Sequence, residues 1–209
     1  MIFKDRKDAG LKLAQELKEF NKAKDTIIVA LPRGGVVLGF EIAKKLNLPL
    51  DVVVPRKVGA PGNEEFAVGA ITEQGDYVPN PDAGHISEKH LKKEIEKEIK
   101  EASRRLELYR PGMGDRDFKN KTIILVDDGI ATGLTMEAAI KTLKSMGAEK
   151  IIIAVPVSAE DSQKRLREGV DRIICLDIPM FFAAVGQFYE KFDQTEDSEV
   201  IDLMKKANQ

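Results

Sequence analysis

The chain has 209 residues, enough for one large domain or a domain with a small appendage and for a proper buried core. Hydrophobic residues make up 43%, and 33 basic residues stand against 35 acidic ones, for a formal net charge of −2. So balanced a surface argues against bulk binding to nucleic acid or a membrane, and any anion site must be a local device.

The stretch DAGLKLAQELKEF sets Ala9, Leu13, Leu17 and Phe20 on one face of a helix. TIIVAL (residues 26–31) reads as a buried strand, stopped by Pro32-Arg33-Gly34-Gly35. VVLGFEIAKKLN is a helix ending at Asn47, and LDVVVP is a second strand. The glycines and prolines of residues 59–63 predict a loop, with Glu64 and Glu65 at its surface. FAVGAIT and YVPN suggest a hairpin around Gln74-Gly75. A long helix follows from Ser87 to Tyr109, with a narrow apolar stripe at Leu91, Ile95, Ile99 and Leu106 and a solvated charged face. His85 and His90 flank its start, in surface or capping roles.

KTIILV, KIIIAVPV and DRIICLDI are three more buried strands. Helices around residues 136–146 and in AEDSQKRLREG separate them. The tail carries FFAAVGQFYEKF and a last helix from about Asp197. Cys175 is the only cysteine, which rules out an intrachain disulfide and a cysteine zinc cluster. Its apolar surroundings favour buried packing. Early charges at Lys4, Asp5 and Arg6 leave no signal-peptide segment, and the apolar runs are too short to span a bilayer. The expected location is cytoplasmic. Apolar strands alternating with helices predict an α/β fold, a mostly parallel central sheet flanked by helices.

Ligands of such sheets bind beyond the carboxyl ends of the strands. Three loops, PRGG, PRKVGAPGNEE and DDGIATGLT, are expected to open on one crevice there. The last poses a chemical problem. A Gly/Thr-rich turn entering a helix offers N–H groups to an anion, with Thr132 and Thr135 adding hydroxyls. Gly129 and Gly133 permit unusual dihedrals or a close approach. Yet Asp127 and Asp128 stand beside it, at the end of a buried strand where unpartnered charge is costly. One ligand with a diol at one end and a phosphate at the other, such as a sugar 5-phosphate, satisfies both halves. An ordinary strand–helix turn capped by Thr is the plainer reading. Neither GxxxxGK[ST] nor a GxGxxG after a strand is present.

ILVDDGIATGLT resembles the phosphoribosyl-diphosphate (PRPP) signature of type I phosphoribosyltransferases. The resemblance implies that fold, with a single domain over residues 1–209. The core would run from about 20 to 176. A hood would lie mainly in 177–195, with a contribution from the N-terminal segment. It implies that Asp127 and Asp128 meet the ribose hydroxyls and serve catalysis with Arg56 and Lys57. Ala131, Thr132, Gly133, Leu134 and Thr135 would wrap the 5-phosphate. LPRGG is similar to the family's diphosphate loop, often built on a non-proline cis peptide. That assigns Arg33, Gly34 and Gly35 to diphosphate, together with Arg56 and Lys57 at the base of a mobile loop. The hood would hold the acceptor, with Phe182 as the stacking ring and Gln187 offering its amide. Packing of these rings within the hood is the plainer alternative.

The implied reaction is transfer of 5-phosphoribosyl from PRPP to a nitrogen acceptor, a nucleobase by preference, with Mg²⁺ held by diphosphate, ribose and water near the aspartates. A homodimer is also implied. Hypoxanthine-guanine enzymes of the family usually have an aspartate before T-G-x-T, and Ala131 stands there, against a 6-oxopurine acceptor. A PRPP-binding regulator without turnover is the alternative. IILVDDG and ICLDIPM also resemble a response-regulator receiver with Asp177 as phosphoacceptor, but only 32 residues follow Asp177 (209 − 177), and a receiver needs two more strands. A PRPP synthetase is disfavoured, because no ATP-binding motif is visible.

Overall fold

A computed structural model describes residues 1–209 apart from the side chains of Glu64 and Glu65. The expectation that those two glutamates lie at the surface falls outside the described side chains.

The main sheet is built from β1 (Thr26–Ala30), β2 (Leu50–Val52), β6 (Thr122–Val126), β7 (Lys150–Val157) and β8 (Arg172–Asp177), in the order β2-β1-β6-β7-β8. All four pairings are parallel. Nearly every residue of the central strands is buried, as expected of a sheet covered on both faces. Two apolar clusters follow. One packs Ile28, Ile124 and Ala154 under α1 (Arg6–Glu16) and α2 (Gly34–Leu46). The other packs Val29, Leu125 and Ile153 under α4 (Leu134–Ser145) and α5 (Glu160–Arg167). Each fully buried Leu or Ile stabilises the fold by about 1.5–3 kcal/mol.

Helix boundaries follow local chemistry. Asp5 caps α1 by accepting from the Asp8 N–H at 2.8 Å. Asn47 closes α2 in the left-handed region at φ 53°. Ser87 caps α3 (Glu88–Tyr109). Helix α6 (Asp197–Ala207) buries Val200 and Met204 in the first cluster.

One expectation is corrected. Residues 56–60 are a strand, not part of an irregular loop. β3 (Arg56–Ala60) and β4 (Asn63–Ile71) form an antiparallel hairpin turned at Pro61-Gly62, with Gly62 at φ 74°. Burial explains the difference: Val58, Val68 and Ile71 make a small core with Leu91, Ile95 and Ile99 of α3. Leu91, Ile95 and Ile99 of the long helix's apolar stripe therefore cover this second sheet, while Leu106 packs on the first cluster. β5 (Val78–Pro79) adds its third strand. No helix among the described residues is long and apolar enough to cross a membrane.

Candidate active site

The sheet order reverses between β1 and β6, and that is where crevices form beyond the carboxyl ends of parallel strands. Register then decides what meets there. Ala30 lies opposite Val126, so Leu31-Pro32-Arg33 and Asp127-Asp128 leave the sheet side by side. The Leu31 N–H donates to the Val126 carbonyl at 2.9 Å. The Pro32–Arg33 peptide bond is cis.

Two glycines make this junction possible. A Cβ on Gly34 would fall 2.0 Å from Asp128 Oδ2. A Cβ on Gly35 would fall 2.9 Å from the Val126 carbonyl oxygen and 3.0 Å from Asp127 Cα. The first turn of α2 thus rests directly on the aspartate pair. Arg33 points away from it, toward Glu196 at 3.8 Å and Asp197 at 3.6 Å.

Asp127 and Asp128 are both partly covered. Asp127 accepts from the Asp128 N–H at 2.8 Å. Burial pushes the Asp127 carboxyl well above the ordinary aspartate range, and the neighbouring Asp128 charge pushes it further. Burial also raises Asp128, but the Arg6 guanidinium opposes the rise. Arg6 Nε sits 2.8 Å from Asp128 Oδ2, with both side chains mostly covered. Tyr189 donates its hydroxyl to the Asp128 carbonyl at 2.7 Å. Arg6 and Tyr189 escape sequence reasoning. The available signal is physical rather than positional: a covered aspartate pair requires a cation, without saying which one.

The segment 129–135 is tied down at its edges. The Ile130 N–H donates to Val157 O, and the Ala159 N–H to Ile130 O, each at 2.9 Å. Ser162 donates to the Ala131 carbonyl at 2.5 Å, and Arg165 to the Thr132 carbonyl. These contacts turn carbonyls away, toward α5. Gly133 takes φ 77° and opens α4, whose first N–H groups have no intrahelical acceptor. Leu134 is buried, whereas Ala131 and Thr132 are exposed. Gly129 matters for close approach: a Cβ there would meet Val185 Cγ1 at 2.6 Å.

Arg56 and Lys57 lie across from the start of α4. Together with Thr135, Glu94 and Glu98 they line a cavity of about 310 Å³. Arg56 is engaged by Glu98 at 2.8 Å, whereas Lys57 is exposed. The hairpin holding them is packed on α3.

Phe182 stacks on Phe188 with centroids 5.4 Å apart, while Phe181 is 83% exposed. The Gln187 amide is engaged within its own loop. It accepts from the Ala183 and Ala184 N–H groups and donates to the Phe181 carbonyl, each at 3.2 Å. Asp177 ends β8, an edge strand separated from β6 by β7. No strand follows it, so the receiver architecture is absent from the described residues. Cys175 is half-buried, and burial pushes its thiol up to about 11.

Comparison with known proteins agrees with this fold. A Mycobacterium tuberculosis protein provisionally named a phosphoribosyl transferase is 40% identical over 210 residues, covering 99% of this chain and 47% of that protein. The chain spans about half the length of the curated relatives it matches. The crystal structure of TT1426 from Thermus thermophilus superposes with a TM-score of 0.82 at 38% identity, covering 99% of both chains. A ribose-phosphate pyrophosphokinase of Pyrococcus furiosus is 42% identical over 59 residues, 27% of this chain and 21% of that protein. The phosphoribosyl transferase domain model matches residues 3–193. The chain therefore belongs to the phosphoribosyl transferase domain family, with the parallel five-stranded sheet and flanking helices of that fold.

Proposed function

We propose that this chain transfers 5-phosphoribosyl from PRPP to a nitrogen acceptor, with a nucleobase as the favoured class. The observation that carries the reading is the packing of Gly34 and Gly35 against Asp127 and Asp128, beside the turn that opens α4. This packing suits a ligand with diphosphate, diol and 5-phosphate at fixed spacing.

In this reading the N–H groups of residues 131–135 and the hydroxyls of Thr132 and Thr135 hold the 5-phosphate. Asp127 and Asp128 accept from the ribose hydroxyls. The backbone of Arg33, Gly34 and Gly35 holds diphosphate, with Arg56 and Lys57 supplying cations to it. The C1–oxygen bond to diphosphate breaks and a C1–nitrogen bond forms. The acceptor nitrogen then loses its proton to solvent. The ionised aspartate stabilises positive charge developing at C1.

No cluster of three or more metal-ligating side chains occurs among the described residues. Mg²⁺ is commonly held by one or two carboxylates plus substrate phosphates. The aspartate pair therefore fits an ion that arrives with diphosphate. When bound, Mg²⁺ neutralises charge on the leaving group. For the acceptor, the geometry favours Phe181, the exposed ring, over Phe182 and Gln187, whose contacts lie within the hood. A homodimer and a cytoplasmic location belong to the same reading.

The test is calorimetry with PRPP and Mg²⁺ on the full chain and on Asp127→Asn/Asp128→Asn. Binding by the first and not the second is expected. No heat with the unaltered chain sinks the reading. Binding without turnover is a second reading, favoured by the engagement of Arg56 with Glu98. A panel of bases screened for PRPP-dependent diphosphate release separates the two.

A further inference from the structure

Arg6 reaches the site from far away in the chain, and its environment is that of a fixed part. Its Nε donates to Asp128 Oδ2 at 2.8 Å, and its Nη1 donates to the Asp193 carbonyl at 2.6 Å. Its guanidinium lies 3.9 Å from the centroid of the Phe192 ring. Only 12% of the side chain is exposed. Three partners on two separate segments define one guanidinium orientation.

The helix carrying Arg6 is held just as firmly. α1 and α2 touch at Gly10, where a Cβ would fall 3.0 Å from Leu38 Cα and from the Leu38 carbonyl oxygen. Sliding α1 along α2 would break that backbone approach. The contact sets Arg6 beside the first turn of α2. A Cβ on Gly34 would lie 2.7 Å from Arg6 Nε as well as against Asp128. Arg6, Asp128 and Gly34 therefore form one three-way contact, in which the guanidinium takes the Oδ2 oxygen of the carboxylate.

We propose that Arg6 is a positioning residue for the donor site: it fixes the Asp128 carboxylate against Gly34 so that its remaining oxygen faces the ribose diol. This rests on the PRPP reading given above. The role acts through Asp128, and removing Arg6 leaves that carboxylate free to rotate and to repel Asp127.

A double-mutant cycle read by calorimetry with Mg²⁺ and PRPP tests the assignment, using the full chain, Arg6→Ala, Asp128→Asn and the double variant. Arg6→Ala is expected to weaken PRPP binding roughly 10- to 100-fold, as for loss of a charge-assisted contact. Asp128→Asn in the Arg6→Ala background should then cost less than about threefold more, because residues acting as a unit are not additive. Methylguanidinium added to Arg6→Ala should recover part of the binding, and Arg6→Lys should bind better than Arg6→Ala. A purely structural Arg6 would give neither rescue. Unchanged binding in Arg6→Ala, or losses that simply multiply with no rescue, overturns the positioning role while leaving the PRPP reading intact. Failure of the unaltered chain to bind PRPP overturns both.

Discussion

Asp128 Oδ2 occupies the space that a side chain at position 34 would need: a Cβ built on Gly34 falls 2.0 Å from it. No rotamer at 34 avoids this, because Cβ itself is the clashing atom. Position 34 therefore depends on glycine for contact rather than for conformation. Its helical backbone is one that alanine also adopts.

Gly34→Ala should move the Asp128 carboxylate and weaken PRPP binding by at least about tenfold, while far-UV dichroism stays unchanged. Gly35→Ala meets backbone atoms of Val126 and Asp127 instead. It should destabilise the fold by about 1–3 kcal/mol, read as a lower midpoint in urea.

The aspartate pair is expected to weaken the fold that carries it. Burial and Asp128 raise the Asp127 carboxyl above its unfolded value. The folded state then binds that proton more tightly than the unfolded state. Stability linked to this group is full below the unfolded pKa and is lost as pH rises through the folded one. Asp127→Asn should therefore raise the melting temperature at neutral pH by roughly 2–4 °C. The gain should vanish below about pH 4, where the aspartate is protonated in both states. PRPP binding should be lost. Calorimetric melting across pH checks the sign.

Arg116 and Glu73 form a nearly inaccessible ion pair at 2.5 Å, with side chains 4% and 2% exposed. Glu73 also accepts from the Val54 N–H at 3.0 Å, tying the base of the hairpin to the end of β2. Arg116→Met leaves that carboxylate buried without its cation. A loss of about 3–5 kcal/mol is expected in denaturant unfolding.

Arg56 and Lys57 face the start of α4 across a cavity. Charge on diphosphate grows as the C1 bond breaks, so their contribution should appear in turnover. Arg56→Ala should lower PRPP-dependent diphosphate release by roughly 10²–10³-fold, with PRPP affinity changed less than about tenfold. Equal losses in both would mean that Arg56 only binds.

The central sheet was legible because each strand is a short apolar run bounded by turn residues, and the runs of β1, β6 and β7 are buried on both faces. Asp127 and Asp128 were legible for the opposite reason: charge at the end of a buried strand demands an explanation. The β3–β4 hairpin was less legible. Its Gly59, Ala60, Pro61 and Gly62 look like breaks, and β3 has a single buried residue, Val58. That strand depends on packing against α3, which lies some 30 residues downstream and leaves no local pattern. Arg6 was illegible in a stronger sense. It is one charge in an amphipathic helix, and its role depends on a contact 122 positions away. Phe182 and Gln187 read as available groups, and their contacts with Phe188 and with the backbone of residues 181–184 follow from a tail conformation that composition does not encode.

The bridge between Phe3 and Tyr189 joins the first residues to a segment near the end, and Arg6 and Tyr189 both close on Asp128 from there. This gives the molecule an order of completion during synthesis. A nascent chain that has emerged only to residue 177 already contains all five strands of the main sheet. It still lacks Tyr189, Phe192 and Asp193, so Arg6 has only one of its three anchors. Domains generally fold as units, so a chain stopped short of its last packing elements does not complete its contacts. The candidate site is therefore complete only once residues 189–193 are made, and a ribosome-stalled chain released before them should lack the contacts by which Tyr189, Phe192 and Asp193 brace Arg6 and Asp128.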